Sequence, residues 1–325
     1  MTAALEVRGL NLVLDPAGRR LHVVRDLVLR LRRAEVLGLI GESGSGKTMT
    51  GMALLRLEPD RAEVTAETMR AGDADLLHAT PRELRALRGR TVAMIFQDPV
   101  GAFNPSKRIA WHAREVLRRR GTTDWRGEAV SLLAEVDITE GERVLASFPH
   151  QLSGGMLQRV LIALVLAAHP QVIVADEPTT NLDNIVEAQI LRLFRRLRQQ
   201  KQAAFLFITH DMTVAAGLCD RIAVMYAGEI VELGDTAELF AAPKHPYTEA
   251  LIATARALEG DAERLPELEG EPPALSLART GCAFASRCPK RMEACTDAPI
   301  PMFHLENRDV RCILYKALSP RERVG

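Results

Sequence analysis

The chain has 325 residues, 47% apolar and 26% charged, which suits a soluble globular protein too long for one ordinary core; one large domain with an appendage, or two domains, is expected. Lys plus Arg and Asp plus Glu both number 42, and zero net charge excludes a whole-molecule field that would draw the chain onto nucleic acid or an anionic membrane. The longest apolar run, residues 160–168, is too short to span a bilayer, and the N-terminus shows no basic-then-apolar secretory pattern, so a cytosolic chain reaching a membrane only through partners is expected.

Residues 5–14 and 21–31, rich in Leu and Val with partial alternation, predict two early strands joined by a turn at Asp15-Pro16-Ala17-Gly18. A short apolar strand over 36–40 leads into Gly41-Glu42-Ser43-Gly44-Ser45-Gly46-Lys47-Thr48, and a helix is predicted over 49–57. The pattern G-x-x-x-x-G-K-[ST] between a strand and a helix is a phosphate-binding loop in the context it requires. Its glycines let several backbone N–H groups face one anion, and the helix aims its positive end at the same place. Lys47 adds a charge for the β- and γ-phosphates, and the Thr48 hydroxyl an oxygen ligand for Mg²⁺. A Gly/Ser turn that bound nothing would gain little from Lys47 at a helix start, where the dipole opposes it.

Residues 91–96 form the next expected strand, ending at Gln97. From Asp98 to about residue 158, prolines punctuate helical stretches over 109–120 and 126–136, which reads as a helical insertion. Arg118-Arg119-Arg120 within it is a solvated helix end, since no aromatic platform for bases accompanies it. Strands then follow over 172–175, 205–208, 222–226 and 229–233, with helices over 185–199 and 212–219 between them; Ala227-Gly228 turns the last two strands into a hairpin. Repeated βα alternation predicts an α/β layered core with helices on both faces, and the absence of an internal repeat predicts one nucleotide-binding unit. The acidic, proline-bearing residues 258–273 read as a linker to a small Cys-bearing end module.

Two further motifs carry chemistry. Strand residues 172–175 deliver Asp176 and Glu177, so Asp176 can reach Mg²⁺ directly or through water and Glu177 can polarise an attacking water. Leu152-Ser153-Gly154-Gly155-Met156 opens a long helix and is a second anion-binding loop. Two phosphate-cradling loops in one chain make sense if the second closes on a nucleotide held by another subunit. Of five cysteines, Cys282, Cys288, Cys295 and Cys312 cluster near the end. Such clustering in a reducing compartment argues for a metal or cluster site over disulfides; the spacing lacks both the short Cys pair of zinc sites and the common iron–sulfur run, and leaves the ligand open. Cys219, alone on a core helix, is expected to be a buried apolar side chain.

In order and spacing, the phosphate loop, Gln97, the Ser153-Gly154-Gly155-Met156 loop, Asp176-Glu177, Asn181-Leu182-Asp183 and Thr209-His210-Asp211 resemble the ATP-binding cassette (ABC) ATPases over residues 5–240. The resemblance implies an α/β P-loop NTPase (RecA-like) core with an antiparallel β subdomain and a helical subdomain at about 98–158. This nucleotide-binding domain, 1–240, is then followed by an extension, 241–325, with the four-Cys module. It implies that two ATPase subunits sandwich two ATPs, each between one phosphate loop (Gly41, Glu42, Ser43, Gly44, Ser45, Gly46, Lys47, Thr48) and the other subunit's Ser153, Gly154 and Gly155. Glu177 would be the general base, Gln97 the sensor of Mg²⁺ and water, His210 the γ-phosphate contact and Asp183 the residue communicating across the dimer; Thr48, Gln97 and Asp176 would attend Mg²⁺.

Gln97-Asp98-Pro99 with Phe103-Asn104-Pro105, Met156 in the glycine-pair loop, Asp176-Glu177-Pro178-Thr179-Thr180 and His245-Pro246-Tyr247-Thr248 resemble the oligopeptide, dipeptide and nickel importer branch. That branch implies an ATP hydrolase at the cytoplasmic face of the membrane, working with a second ATPase subunit, two permease subunits and an extracytoplasmic solute-binding protein, and with no nucleic acid. The alternative is a soluble ABC ATPase acting on nucleic acid or ribosomes. Some members of the branch hold a [4Fe-4S] cluster on four such cysteines, which would make Cys282, Cys288, Cys295 and Cys312 its ligands, with zinc or free thiols as the other readings. The family usually stacks adenine on an aromatic residue upstream of the phosphate loop; Leu12, Leu14 and His22 are the candidates here. Ala34 stands where the family often has Gly, with no harm expected.

Overall fold

A computed structural model describes residues 3–180, 182–200, 203–259, 269–275 and 279–316. In chain order the first elements are β1 (Ala3–Leu14), β2 (Leu21–Arg32), β3 (Val36–Ile40), α1 (Lys47–Leu54), β4 (Glu63–Thr65), β5 (Thr68–Ala71), β6 (Ala74–Asp75), α2 (Pro81–Leu87) and β7 (Val92–Ile95). Then come α3 (Ile109–Arg120), α4 (Trp125–Glu135), α5 (Gly141–Ala146), α6 (Gly154–Ala167), β8 (Val172–Asp176), α7 (Asn184–Gln200), β9 (Ala204–Thr209) and α8 (Met212–Leu218). The chain closes with β10 (Arg221–Tyr226), β11 (Glu229–Asp235), α9 (Thr236–Ala241), α10 (Pro246–Glu259), α11 (Ala294–Asp297), β12 (Phe303–Leu305) and β13 (Arg308–Val310). The expected helix over 49–57 begins two residues earlier and stops at Leu54, where Leu55 leaves helical geometry.

The chain divides into two compact units: Met1–Leu5, Leu31–Glu35 and Ala71–Leu206 form one, and Glu6–Arg30, Val36–Arg70 and Phe207–Gly325 the other. In the first, β7 and β8 pair in parallel, Val92 opposite Val172 through Ile95 opposite Ala175, and both strands are wholly buried. Strands covered on both faces read as continuous apolar runs, which is why they were legible. The helical part packs α3, α4, α5 and α6 together, with Leu117, Leu133, Leu145 and Leu157 in its interior. Ala34 adopts φ 56, the left-handed region, so the Gly-to-Ala exchange at this turn costs about 1 kcal/mol.

In the second unit, β10 lies between β3, its parallel neighbour, and β11, its antiparallel hairpin partner. The hairpin turns at Ala227 (φ 45) and Gly228 (φ 90), the left-handed pair that a two-residue turn needs. The same sheet continues through β13 and β12: Glu232 sits opposite Val310, and Val310 opposite Phe303. The residues after the expected linker therefore extend the sheet beyond β11, β13 beside it and β12 at the edge. Of the 258–273 linker, residues 260–268 lie outside the described residues, and α10 runs on to Glu259. Cys219 is 5% exposed at the end of α8, as its apolar reading expects.

Candidate nucleotide-binding site

Within the second unit, the loop from Gly41 to Gly46 leaves β3 and enters α1. Gly41 passes so close to the β10 backbone that a Cβ there would lie 2.1 Å from the Met225 carbonyl oxygen. Gly46, at φ 105, would put one 2.7 Å from the Val23 carbonyl. These two positions admit only glycine, on sterics for the first and on dihedral and sterics for the second. The hairpin turn holds the loop from its side: the Gly228 N–H donates to the Ser45 carbonyl at 2.9 Å.

Lys47 is 4% exposed, and its ammonium donates to the carbonyls of Gly41 (2.8 Å) and Glu42 (2.9 Å). Thr48 is exposed on the first turn of α1. Glu42, which the motif leaves unspecified, is gripped from three sides. Lys47 bonds its carbonyl, its N–H donates to the Tyr247 hydroxyl at 2.9 Å, and its carboxylate takes both nitrogens of the Arg287 fork at 2.8 and 3.2 Å. Nothing in the sequence pattern pointed to this contact with Arg287, which lies 245 residues away.

The adenine candidates separate. Leu12 is fully buried in β1 and has no face to offer, whereas Leu14 and His22 are partly exposed. His22 Nε2 pairs with Asn11 Oδ1 at 3.0 Å, and burial, then the charges of Arg25 and Arg279, hold its pKa below the usual imidazole value. His210, exposed after β9, precedes Asp211, whose carboxylate caps α8 by accepting from the N–H groups of Thr213 (2.7 Å) and Val214 (3.1 Å).

The first unit carries the other candidates. Asp176 ends β8 at 2% exposure. Glu177 follows at φ 42, and its Oε2 accepts from Gln97 Nε2 (3.2 Å) and Thr180 Oγ1 (2.9 Å). Gln97 and Glu177 thus meet, and Thr180 is a partner that the sequence reading did not single out. Ser153 caps α6, its hydroxyl accepting from the Met156 N–H at 3.3 Å. Gly154 is exposed, and nothing lies within 4 Å of where a Cβ would stand; Gly155 is buried against Val186. Asp183 is exposed and accepts from the N–H groups of Ile185 and Val186 at the start of α7; Asn181 lies outside the described residues.

Cys282, Cys288, Cys295 and Cys312 all line one small pocket of the second unit, together with His245, Phe284 and Met292. The Cys282 N–H donates to the Cys295 carbonyl at 2.7 Å, fixing two of the four segments to each other. Burial, reinforced by the neighbouring thiols, pushes Cys282 up to about 11 and raises Cys288 and Cys312. Among the described residues no three His, Cys, Asp or Glu side chains converge on a point where they would hold one metal ion. The fold thus establishes neither a zinc site nor a cluster at the cysteine module.

Two family signatures match this chain: the ABC transporter family over residues 24–180 and the oligopeptide/dipeptide transporter C-terminal region over residues 231–295. The oligopeptide transport ATP-binding protein AppD of Bacillus subtilis (strain 168) is 36% identical over 321 residues, 97% of this chain and 98% of its own. The oligopeptide transport ATP-binding protein OppD of Escherichia coli (strain K12) is 38% identical over 300 residues, 91% of this chain and 89% of its own. Among solved structures, the ATP-binding cassette MJ0796, as a post-hydrolysis dimer bound to ADP and Pi, superposes with a TM-score of 0.62 at 24% identity. It covers 71% of this chain and 98% of that one, and establishes the cassette fold. A soluble cassette acting on nucleic acid or ribosomes finds no support among these relatives.

Proposed function

The chain belongs to the ABC transporter ATP-binding family, and on that premise we propose that it hydrolyses ATP to drive import of dipeptides, oligopeptides or related small solutes through a membrane complex. The observation that carries this reading is the joining, in one chain, of a phosphate loop gripped by its own C-terminal segment to a match with the peptide-importer C-terminal region. Functionally we divide the chain into a cassette, 1–240, and an extension, 241–325.

In this reading Lys47 and the loop N–H groups hold the triphosphate, the electrostatic stabilisation that phosphoryl transfer needs. Glu177, oriented by Gln97 and Thr180, accepts the proton of the attacking water. His210 contacts the γ-phosphate. Thr48, Gln97 and buried Asp176 each offer the oxygen donor that Mg²⁺ prefers and would attend the ion, which when bound would neutralise phosphate charge. Ser153 and Gly154, open to solvent at the head of α6, serve the nucleotide of a second ATPase subunit, and Asp183 carries the signal between subunits.

Among the described residues no helix is long and apolar enough to cross a membrane. Two permease subunits and an extracytoplasmic solute-binding protein would complete the complex, with this subunit peripheral at the cytoplasmic face. The four thiols share the lining of one pocket, and Cys282, Cys288, Cys295 and Cys312 would hold a [4Fe-4S] cluster whose iron would offset the cost of burying thiolates together. Anaerobic purification should then return iron and sulfide with visible thiolate–iron absorbance, and a colourless, iron-free chain overturns the assignment.

The import reading is tested on the assembled complex in vesicles. Dipeptides or oligopeptides delivered by the binding protein should stimulate ATP hydrolysis and accumulate inside. Hydrolysis that no peptide stimulates overturns the substrate class and leaves the ATPase standing.

A further inference from the structure

We propose that Arg287 is a positioning residue of the phosphate site: it clamps Glu42 and cancels its charge, so that the C-terminal segment sets this subunit's affinity for ATP. The proposal rests on the phosphate-loop reading above and adds to it a residue from outside the cassette.

Three observations carry it. The first is geometric. The Arg287 guanidinium, its side chain only 5% exposed, meets the Glu42 carboxylate as a two-pronged fork. Bidentate pairs of this kind fix orientation as well as charge. Nη1 also reaches the Tyr226 hydroxyl at 3.2 Å, and Nε donates to the Glu269 carbonyl at 3.2 Å. Tyr226 directly follows Met225, whose carbonyl fills the space beside Gly41. Arg287, Tyr226 and the loop therefore form one packed assembly.

The second is the support behind the fork. Phe284 is fully buried three residues before Arg287, with its ring 5.3 Å from that of Tyr226 and 5.4 Å from that of Tyr247. Tyr247, fully buried as well, supplies the hydroxyl that accepts the Glu42 N–H. The same residue presents its carbonyl to Lys47. A side chain of the extension thus reaches the catalytic lysine through a single intervening residue.

The third is electrostatic. A carboxylate at the second position of a loop that binds a triphosphate repels its own ligand, because charges a few ångströms apart at a partly buried site are weakly screened. Loop chemistry asks nothing of this side chain, so an unpaired Glu42 would only weaken binding. Arg287 removes that penalty and keeps the carboxylate folded back against the tyrosines.

The test is ATP affinity of the full-length chain, with turnover measured in the assembled complex. Arg287→Met is expected to weaken ATP binding about tenfold, the value of roughly one charge-assisted contact, with kcat within about twofold. Removing the exposed charge should restore it: Glu42→Gln in the Arg287→Met background is expected to return affinity to within about threefold of wild type. A merely structural Arg287 would show no such rescue. Arg287→Lys keeps the charge but loses the two-pronged fork, and is expected to weaken ATP binding about threefold. The proposal is overturned if Arg287→Met binds ATP like wild type, if the double variant stays as weak as Arg287→Met, or, where Arg287→Met fails to fold, if Arg287→Lys binds ATP like wild type. Lys47→Ala, run alongside, must abolish ATP binding; if it does not, the phosphate-loop reading has failed and not the Arg287 proposal alone.

Discussion

Two loops of this chain open a helix with glycines, and they are built in opposite ways. The loop ahead of α1 is held at three positions by its own chain, Gly41 against Met225, Gly46 against Val23, Glu42 between Arg287 and Tyr247, with Ser43 and Gly44 left open between them. At the loop ahead of α6, Ser153 and Gly154 face solvent, and Gly154 has no neighbour where a side chain would stand. Both present N–H groups at a helix start, the geometry that receives an anion. The difference is in who completes the site. The first is preorganised within one chain, as a loop contributing affinity would be; the second has an exposed head, as a loop completed by another subunit would have. That division is what a nucleotide shared between two subunits requires.

The largest effect that could break this contrast lies in the first loop. Lys47→Ala removes the buried ammonium and is expected to weaken ATP binding by at least about 100-fold, measured by equilibrium binding of a fluorescent ATP analogue. Near-normal binding would remove the first loop from the nucleotide site. Next, Glu177→Gln should leave ATP binding intact and lower turnover in the complex by about 10²- to 10⁴-fold. It keeps a side chain that can still meet Gln97 and Thr180, so the loss reports on the proton and not on the fold. Wild-type turnover would move the base elsewhere.

How much of this was visible beforehand follows the same line. The loop ahead of α1 works through backbone N–H groups at fixed local spacing, and local spacing is what a sequence displays. The α3 helix matched its expected bounds of 109–120 because a proline before it and Gly121 after it punctuate the pattern. Strands β4, β5 and β6 went unread: each has four residues or fewer, and their register comes from pairing, β4 and β5 with β1, as in Asn11 opposite Thr65, and β6 with β5. Helix α2 was missed although Thr80 and Glu83 form a capping box that the sequence spells out. Strands β12 and β13 have three residues each and exist only because β11 offers its free edge. The cysteines announced themselves by composition, but only folding shows that four irregularly spaced thiols line one pocket. The pairing of Arg287 with Glu42 carried no signal, since a pair 245 residues apart has no periodicity to betray it.

The smallest effect sharpens the contrast most. Gly46→Ala forces a left-handed φ of 105 on a residue with a Cβ and drives that atom toward the Val23 carbonyl at 2.7 Å, so the fold should lose at least about 1–2 kcal/mol in urea unfolding. Gly154→Ala meets no atom of its own chain, and its stability should stay within about 0.5 kcal/mol of wild type with ATP binding unchanged. If the open face of α6 closes on a second subunit's nucleotide, the added methyl will stand in that interface, and turnover in the complex should fall while the isolated chain behaves as wild type. A Gly154→Ala complex that hydrolyses ATP at the full rate would mean that this glycine faces no nucleotide, and the two loops would no longer be halves of one kind of site.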